Sequence, residues 1–417
     1  MPGRRVPSVV LRGGPPVHPA VFSKRVLRTE GNPRDGDLVR IRTKEGRACG
    51  FGLWHGKSQI ALRVLSFDAD RVPDGDWLHE RLVEAESLRK DVLRLPEVTN
   101  AWRLCHGEGD GLAGLVIDRY ENVASVSLFS LGWWRRMEEL EAVLRESLGI
   151  TDVIVRTDEK TSRYEGFTVP EPTFRGELDV HENGVHFIVD PAGGHKTGFF
   201  LDQRDNRARL AHWCRGKTVF DGMTYTGGFA LAAKAGGATM VRAFDLDEEA
   251  IAMGERNAER NGLEVLFGSG DVFDALREIA SLPVDERPDV VNVDPAKWAR
   301  DRAGLGAALY RYRDLNRLAL LAVKPGGLVG THSCSGLVSE EMFLGVIREA
   351  ALDTQREVRV LALSGAAPDH PFTMSHPEGR YLKSAFLQVG PEGSGPGNRS
   401  HPDFEKKRGG PPRKPRN

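Results

Sequence analysis

The spacing of apolar positions changes several times along the chain, and each change predicts a different kind of element. Up to about residue 84 the apolar residues fall in short runs broken by turn residues, as in AspGlyAspLeuValArgIleArg (35–42) and GlnIleAlaLeuArgValLeuSer (59–66). That pattern predicts a small β-rich module. From Asp76 to Leu95 the period lengthens to roughly 3.6: Leu78, Leu82, Ala85, Leu88, Val92 and Leu95 recur with charges between them. A linking helix ended by Pro96 is expected. The stretch to about residue 183 mixes the runs GlyLeuValIleAspArgTyr and ValAlaSerValSerLeuPhe with the helical ArgArgMetGluGluLeuGluAlaValLeuArg, a compact α+β unit. From about residue 184 strand and helix patterns alternate, which predicts parallel βαβ units in one sheet. Beyond Val389 Gly, Pro, Ser and Lys/Arg take over, and such a segment buries too little apolar surface to fold alone. The expected fold class is α/β, divided as 1–84, 85–183, 184–389 and a disordered basic tail at 390–417.

In an open parallel sheet ligands sit beyond the carboxyl ends of the strands, so what each apolar run ends in matters most. ThrValPhe ends in Asp221, MetValArgAlaPhe in Asp245, ValLeuPheGlySerGly in Asp271 and AspValValAsnVal in Asp294. After the first run come Tyr225, Thr226, Gly227 and Gly228, a turn whose glycines let backbone approach a ligand. The GxGxxG fingerprint of a pyrophosphate site is missing. An acid-rich edge repels phosphate but accepts ribose hydroxyls, so S-adenosylmethionine is expected as cofactor rather than NAD. Asp245 is assigned to the ribose, Asp271 to the adenine amino group and the Tyr225–Gly228 turn to the methionine part. The competing explanation is that each Asp merely caps the helix that follows it.

Lys+Arg 58 against Asp+Glu 59 leaves no global field, so a nucleic-acid partner would depend on local basic surface. The four cysteines, Cys49, Cys105, Cys214 and Cys334, have no CxxC spacing, which argues against both a zinc cluster and a disulfide framework. No apolar run suits a signal peptide or a membrane span, and a cytoplasmic protein without membrane contact is expected. Three cysteines are expected to be small core hydrophobes. Cys334 differs, because SerCysSerGly leaves a strand at the cofactor edge shortly before a helix near Ser339, the exposed polar setting a thiol nucleophile needs. Carbon 5 of cytosine is too weak a nucleophile for a sulfonium methyl until a thiolate adds at carbon 6; methylation of nitrogen needs no such step. Asp294 is expected beside the base.

These residues, with GlyGlyHisLysThrGlyPhePheLeuAspGlnArgAspAsnArg (193–207), TyrThrGlyGlyPhe (225–229), AspHisPro (369–371) and ProGluGlyArgTyrLeuLys (377–383), resemble the bacterial 23S rRNA cytosine-5-methyltransferase family. The resemblance covers the chain to about Val389. It implies an N-terminal PUA domain for RNA, a central α+β domain and a class I Rossmann-like methyltransferase domain. It also implies Cys334 as nucleophile and Lys196, Gln203 and Arg204 near the cofactor; the helical pattern by itself would put Gln203 and Arg204 on a solvated first turn. Two positions depart from the family pattern: Ala296 replaces the second proline of AspProProLys, and Ala20 replaces the tryptophan of HisProTrpValPheSer. Trp298 is expected to pack rather than to stack on a base, and His332 and His370 to be structural. Ribosomal RNA is the expected partner, assisted by tail residues such as Arg399, Lys406 and Lys407. A homodimer is compatible with the sequence. The alternatives are a guanine or adenine N-methyltransferase on ribosomal RNA, against which Cys334 argues, and a non-catalytic RNA-binding or assembly protein, against which the intact cofactor positions argue.

Overall fold

The structure, a computed structural model, describes residues 6–193 and 198–396. Two compact units emerge from it: one formed by the chain to Arg209 with 255–263 and 365–382, the other by 210–254, 264–364 and the chain from Lys383. No helix among the described residues is long and apolar enough to cross a membrane.

The first unit contains a six-stranded sheet within residues 8–66 and a four-stranded sheet within 101–156. Both predicted runs of the β-rich module are strands, Leu38–Arg42 and Ile60–Ser66. The linking helix starts as expected at Gly75–Ser87, capped by Asp74, and buries Leu78, Leu82 and Ala85. It does not continue at the same period to Pro96. A π turn at Leu88–Val92 follows, then Arg94 in the left-handed region at φ 54°. The wider turn shifts the helical register, so Val92 is 69% exposed while Arg89 is fully buried in place of the expected apolar face. Arg89 can lie there because Asp110 takes its guanidinium in two hydrogen bonds, 2.6 and 2.8 Å.

The second unit is a seven-stranded sheet. Its strands are β1 (Thr218–Gly222), β2 (Met240–Asp245), β3 (Leu266–Ser269), β4 (Val290–Val293), β5 (Leu328–Ser333), β6 (Arg356–Ser364) and β7 (Lys383–Glu392), in spatial order β3-β2-β1-β4-β5-β7-β6. Strands β1 to β5 pair in parallel, as the alternation predicts. The expectation of an all-parallel sheet fails at β7, which runs antiparallel between β5 and β6. The only helical turn in the β6–β7 connection is the 3-10 turn Pro377–Gly379, so no crossover helix returns the chain parallel. β7 also continues past the predicted boundary at Val389 to Glu392, where it pairs with Arg356; the remainder of the tail from residue 397 lies outside the described residues.

On one sheet face the helices Val272–Ser281, Leu305–Ala322 and Glu340–Thr354 close over a core that includes Leu276, Leu315, Phe343 and Leu387. The other face carries the helix Gly228–Ala235, which buries Phe229, Ala230 and Ala233. Cys214 and Cys105 have no exposure and Cys49 has 8%, each in an apolar cluster, so these three behave as small hydrophobes.

Candidate active site

β1 lies at the middle of the parallel strands, and the turn that leaves it is held by two carboxylates. Asp221, 1% exposed, accepts hydrogen bonds from Thr224 Oγ1 at 2.5 Å and from Asn292 Nδ2 at 2.8 Å. Burial pushes its carboxyl up to about 6 against the pull of those two donors. Asp245 ends β2; its Oδ2 accepts the Tyr225 N–H at 2.8 Å and its Oδ1 the Asp247 N–H at 3.1 Å. These bonds pin a turn in which Met223 and Tyr225 hold φ of 63° and 52°, values that a side chain disfavours by about 1–2 kcal/mol each. Gly227, at φ 85°, is where the turn needs glycine, and a Cβ there would come within 3.1 Å of the Phe267 ring. Gly228 then opens its helix, and Thr226 is 6% exposed.

All four predicted carboxylates stand at the carboxyl edge of the parallel strands, but they are not equivalent. Asp221 lies within β1; its Oδ2 serves the turn through Thr224 and its Oδ1 the neighbouring strand through Asn292. Asp271 caps the helix Val272–Ser281 through a 2.7 Å bond from Phe273 N–H to Oδ1, so the simple capping explanation holds for that oxygen. Each oxygen of Asp245 has one backbone donor and keeps acceptor capacity, as ribose hydroxyls require.

Asp294 follows β4, its N–H donating to Gly222 O at 3.3 Å, and Cys334 follows β5, half-exposed. Cys334 Sγ lies 4.0 Å from Pro295 O, so the thiol meets the loop that begins at Asp294. Ser335, with no exposure, joins three elements: its Oγ accepts the Ala299 N–H at 3.2 Å and shares a 3.1 Å bond with Tyr312 OH, and its carbonyl accepts from Lys383 Nζ at 2.7 Å. Trp298 packs on Tyr312 with ring centroids 4.7 Å apart, while Arg311 lies 4.5 Å over the indole. It is a packing residue, as expected.

Sequence reasoning missed Asn292, Ser335, Tyr312 and Lys383. A polar residue inside the strand run AspValValAsnVal was the available signal for the first. Asn292 donates to Asp221, so its Oδ1 turns to His332 Nε2 at 3.0 Å, and His332 Nδ1 meets Ser384 Oγ at 2.7 Å. The directions fix the imidazole: Nε2 carries the proton and Nδ1 accepts the serine hydroxyl. Gly330 leaves room for this chain, since a Cβ there would stand 2.4 Å from Asn292 Oδ1. His332 is thus structural in the predicted sense, buried between Phe229 and Phe386. His370 is buried beside Asp369 in the first unit.

Gln203 and Arg204 belong to the first unit and are 3% and 2% exposed, which corrects the solvated-turn expectation. Arg204 holds Asp369 in two bonds of 3.1 and 2.8 Å, and Gln203 Oε1 accepts from Asn206 at 2.6 Å. Lys196 lies outside the described residues.

Residues 161–355 match the model of S-adenosylmethionine-dependent methyltransferases, and residues 17–67 match that of PUA-like domains. Ribosomal RNA large subunit methyltransferase I of Aeromonas salmonicida is 39% identical over 380 residues, covering 89% of this chain and 95% of that protein. The chain belongs to the ribosomal RNA large subunit methyltransferase I family. Members from Photobacterium profundum and Vibrio cholerae are 39% and 37% identical, with the same coverage of both chains. In fold the chain is similar to a Streptococcus mutans protein described as a SAM-dependent methyltransferase, at TM-score 0.74 and 20% identity, covering 91% of this chain and all of that one. A related methyltransferase structure complexed with SAH gives TM-score 0.75 over 89% of this chain and 96% of that one, again at 20% identity. The family's methyltransferase match takes in the turn after β1, all four edge carboxylates and Cys334. Its PUA-like match falls within the six-stranded sheet. The cofactor is therefore S-adenosylmethionine.

Proposed function

We propose that this chain methylates carbon 5 of a cytosine in large-subunit ribosomal RNA, with Cys334 as covalent nucleophile. The curated relatives are named for large-subunit ribosomal RNA, and the PUA-like match supports a structured RNA substrate. The observation that carries the cytosine reading is the placement of Cys334 at the end of β5, with Sγ 4.0 Å from Pro295 O and hence beside the loop that starts at Asp294. A thiol in that place has no task in methylating nitrogen.

The donor set fits the cofactor: acceptor oxygens on Asp245 for hydroxyls, and a turn at 225–228 made stiff by Asp221 and Thr224. S-adenosylmethionine supplies an electrophilic methyl group. Lys196, Gln203 and Arg204 are assigned to the cofactor by family resemblance, and Asp221 acts on it through the turn. Asp294 accepts a hydrogen bond from the target base, taken from a loop or flipped out of a helix. The Cys334 thiolate adds to carbon 6, forming a C–S bond and shifting the ring electrons to carbon 5. Carbon 5 would then take the methyl group, the pair of the broken S–CH3 bond staying on the departing thioether; water or another base takes the carbon 5 proton, the C–H pair restores the double bond, and the C–S bond to Cys334 breaks with its electron pair returning to sulfur.

Cys334→Ala should bind S-adenosylmethionine with unchanged affinity and lose 5-methylcytosine formation by about a thousandfold or more, in line with removal of a covalent nucleophile. Nucleoside mass spectrometry of large-subunit RNA incubated with each protein reads this directly. Wild type should also form a stable adduct with RNA carrying 5-fluorocytosine, whose fluorine blocks the final elimination. Methylated guanine or adenine as the product would replace this reading by nitrogen methylation.

A further inference from the structure

β7 is the one antiparallel neighbour of the nucleophile's strand, and its first two residues face the last two of β5. Lys383 pairs with Ser333 and Ser384 with His332. The Ser384 hydroxyl bond to His332 Nδ1 at 2.7 Å fixes that register from the side chains as well. A lysine is long enough to reach beyond its register partner, and this one does: Nζ donates to the carbonyl of Ser335 at 2.7 Å, two residues further along. The ammonium therefore lies at the carbonyl of the residue that follows Cys334, in the Ser335–Gly336 peptide. Lys383 is only 4% exposed. Water screens a charge in such a place poorly, and its field on a neighbouring ionisable group is correspondingly strong.

Ser335 has no freedom to turn away. Besides Lys383, it is held by Ala299 N–H and Tyr312 OH at its Oγ, and its N–H lies 3.4 Å from Ser333 Oγ. The residue enclosed by Ser333 and Ser335 is Cys334.

We propose that Lys383 is a positioning residue for the nucleophile: it anchors Ser335, the residue after Cys334, by its carbonyl and sets a fixed positive charge at the strand end that favours the thiolate. This rests on the reading of Cys334 as the nucleophile. The same bond accomplishes both tasks, since the charge cannot move while Nζ holds the Ser335 carbonyl. A cation beside a cysteine favours the anion that attacks, and it is not consumed or protonated anew in the cycle.

The test is the rate of Cys334 alkylation by iodoacetamide as a function of pH, on the full chain, with the modified peptide identified by mass spectrometry. Cys334→Ala gives the background. The three other thiols interfere little, since all are buried and burial pushes Cys214 up to about 12. Lys383→Met should move the alkylation midpoint up by about one pH unit or more and slow modification at neutral pH roughly tenfold, while S-adenosylmethionine binding by calorimetry persists. Lys383→Arg, which keeps the charge, should stay near the wild-type midpoint. Should Lys383→Met fail to fold, Lys383→Gln, which keeps a donor and loses the charge, is compared in its place. Superimposable profiles for wild type and the neutral variant overturn the proposal, as does an arginine variant shifted as far as the neutral one. An unmoved midpoint removes this role and leaves the cytosine mechanism standing. Methylation of nitrogen overturns that mechanism without moving the midpoint.

Discussion

Each unit buries a polar system, and the two are built on opposite plans. In the first unit full charges are paired: Arg89 with Asp110, Arg204 with Asp369 and Arg207 with Glu182, with every arginine at 2% exposure or less. In the second a chain of uncharged links, Asn292, His332 and Ser384, leads from a single carboxylate, Asp221, across four strands. The carboxylates show the difference. Burial tends to raise both, yet His370 and then Arg204 hold Asp369 far below the usual carboxylate range, while Asp221, with only neutral donors, is pushed up to about 6. A buried ion pair locks one arrangement because breaking it strands a charge. A neutral chain beside the turn after β1 holds geometry without placing a compensating cation there.

The sharpest way to break the comparison is Asp369→Ala. It leaves Arg204 buried without this carboxylate and should lower stability by about 3–5 kcal/mol, seen as an earlier urea midpoint. A loss below 1 kcal/mol would mean that the pair is not what holds that region.

The two carboxylates should also answer pH with opposite signs. Asp221 has its folded value raised, so between about pH 4 and 6 the unfolded chain ionises first and the native state loses stability as pH rises. The loss levels off above about 6. Relative to wild type, Asp221→Asn should therefore gain on the order of 3 kcal/mol across that window. Asp369 has its folded value depressed, so its contribution is complete above about pH 4 and fades as pH falls further. Urea unfolding of wild type, Asp221→Asn and Asp369→Asn from pH 3 to 8 measures both. Equal pH dependence in the two variants would erase the distinction.

Within the neutral chain, His332→Leu leaves Asn292 Oδ1 and Ser384 Oγ short of a partner each, for a cost of about 1–3 kcal/mol. Ser384→Ala, which removes one donor at the end of the chain, should cost about 1 kcal/mol. Thermal unfolding ranks the two, and a reversed order would show that the imidazole is held by packing on Phe229 and Phe386 instead.

The row of carboxylates at the sheet edge was legible in the sequence because a strand that ends in Asp at each of four successive crossings is a local pattern, visible residue by residue. Cys334 was legible for the same reason: Gly turn, strand, SerCysSerGly. The linking helix was legible only to Ser87, because period counting assumes one kind of turn and the π turn at Leu88–Val92 exchanges Val92 for Arg89 on the inner face. Gln203 and Arg204 misled the pattern in the other direction. Their charge and polarity suggest solvent, yet Asp369 and Asn206 supply buried partners.

By itself the sequence determined the element types, the α/β class, the acid-rich strand edge, the nucleophile candidate and the family resemblance. All of these depend on the order and spacing of neighbouring residues, or on runs of them that stay together. Tertiary structure alone decided that β7 enters antiparallel, that Asp221 and Asp271 serve turn and cap, and that Asn292, His332 and Ser384 form one chain. It also decided that Lys383 reaches Ser335 from a position 48 residues away in the chain. Such pairings are set by strand order and register, which follow from how whole faces of the sheet are buried, and no short stretch of sequence carries that information.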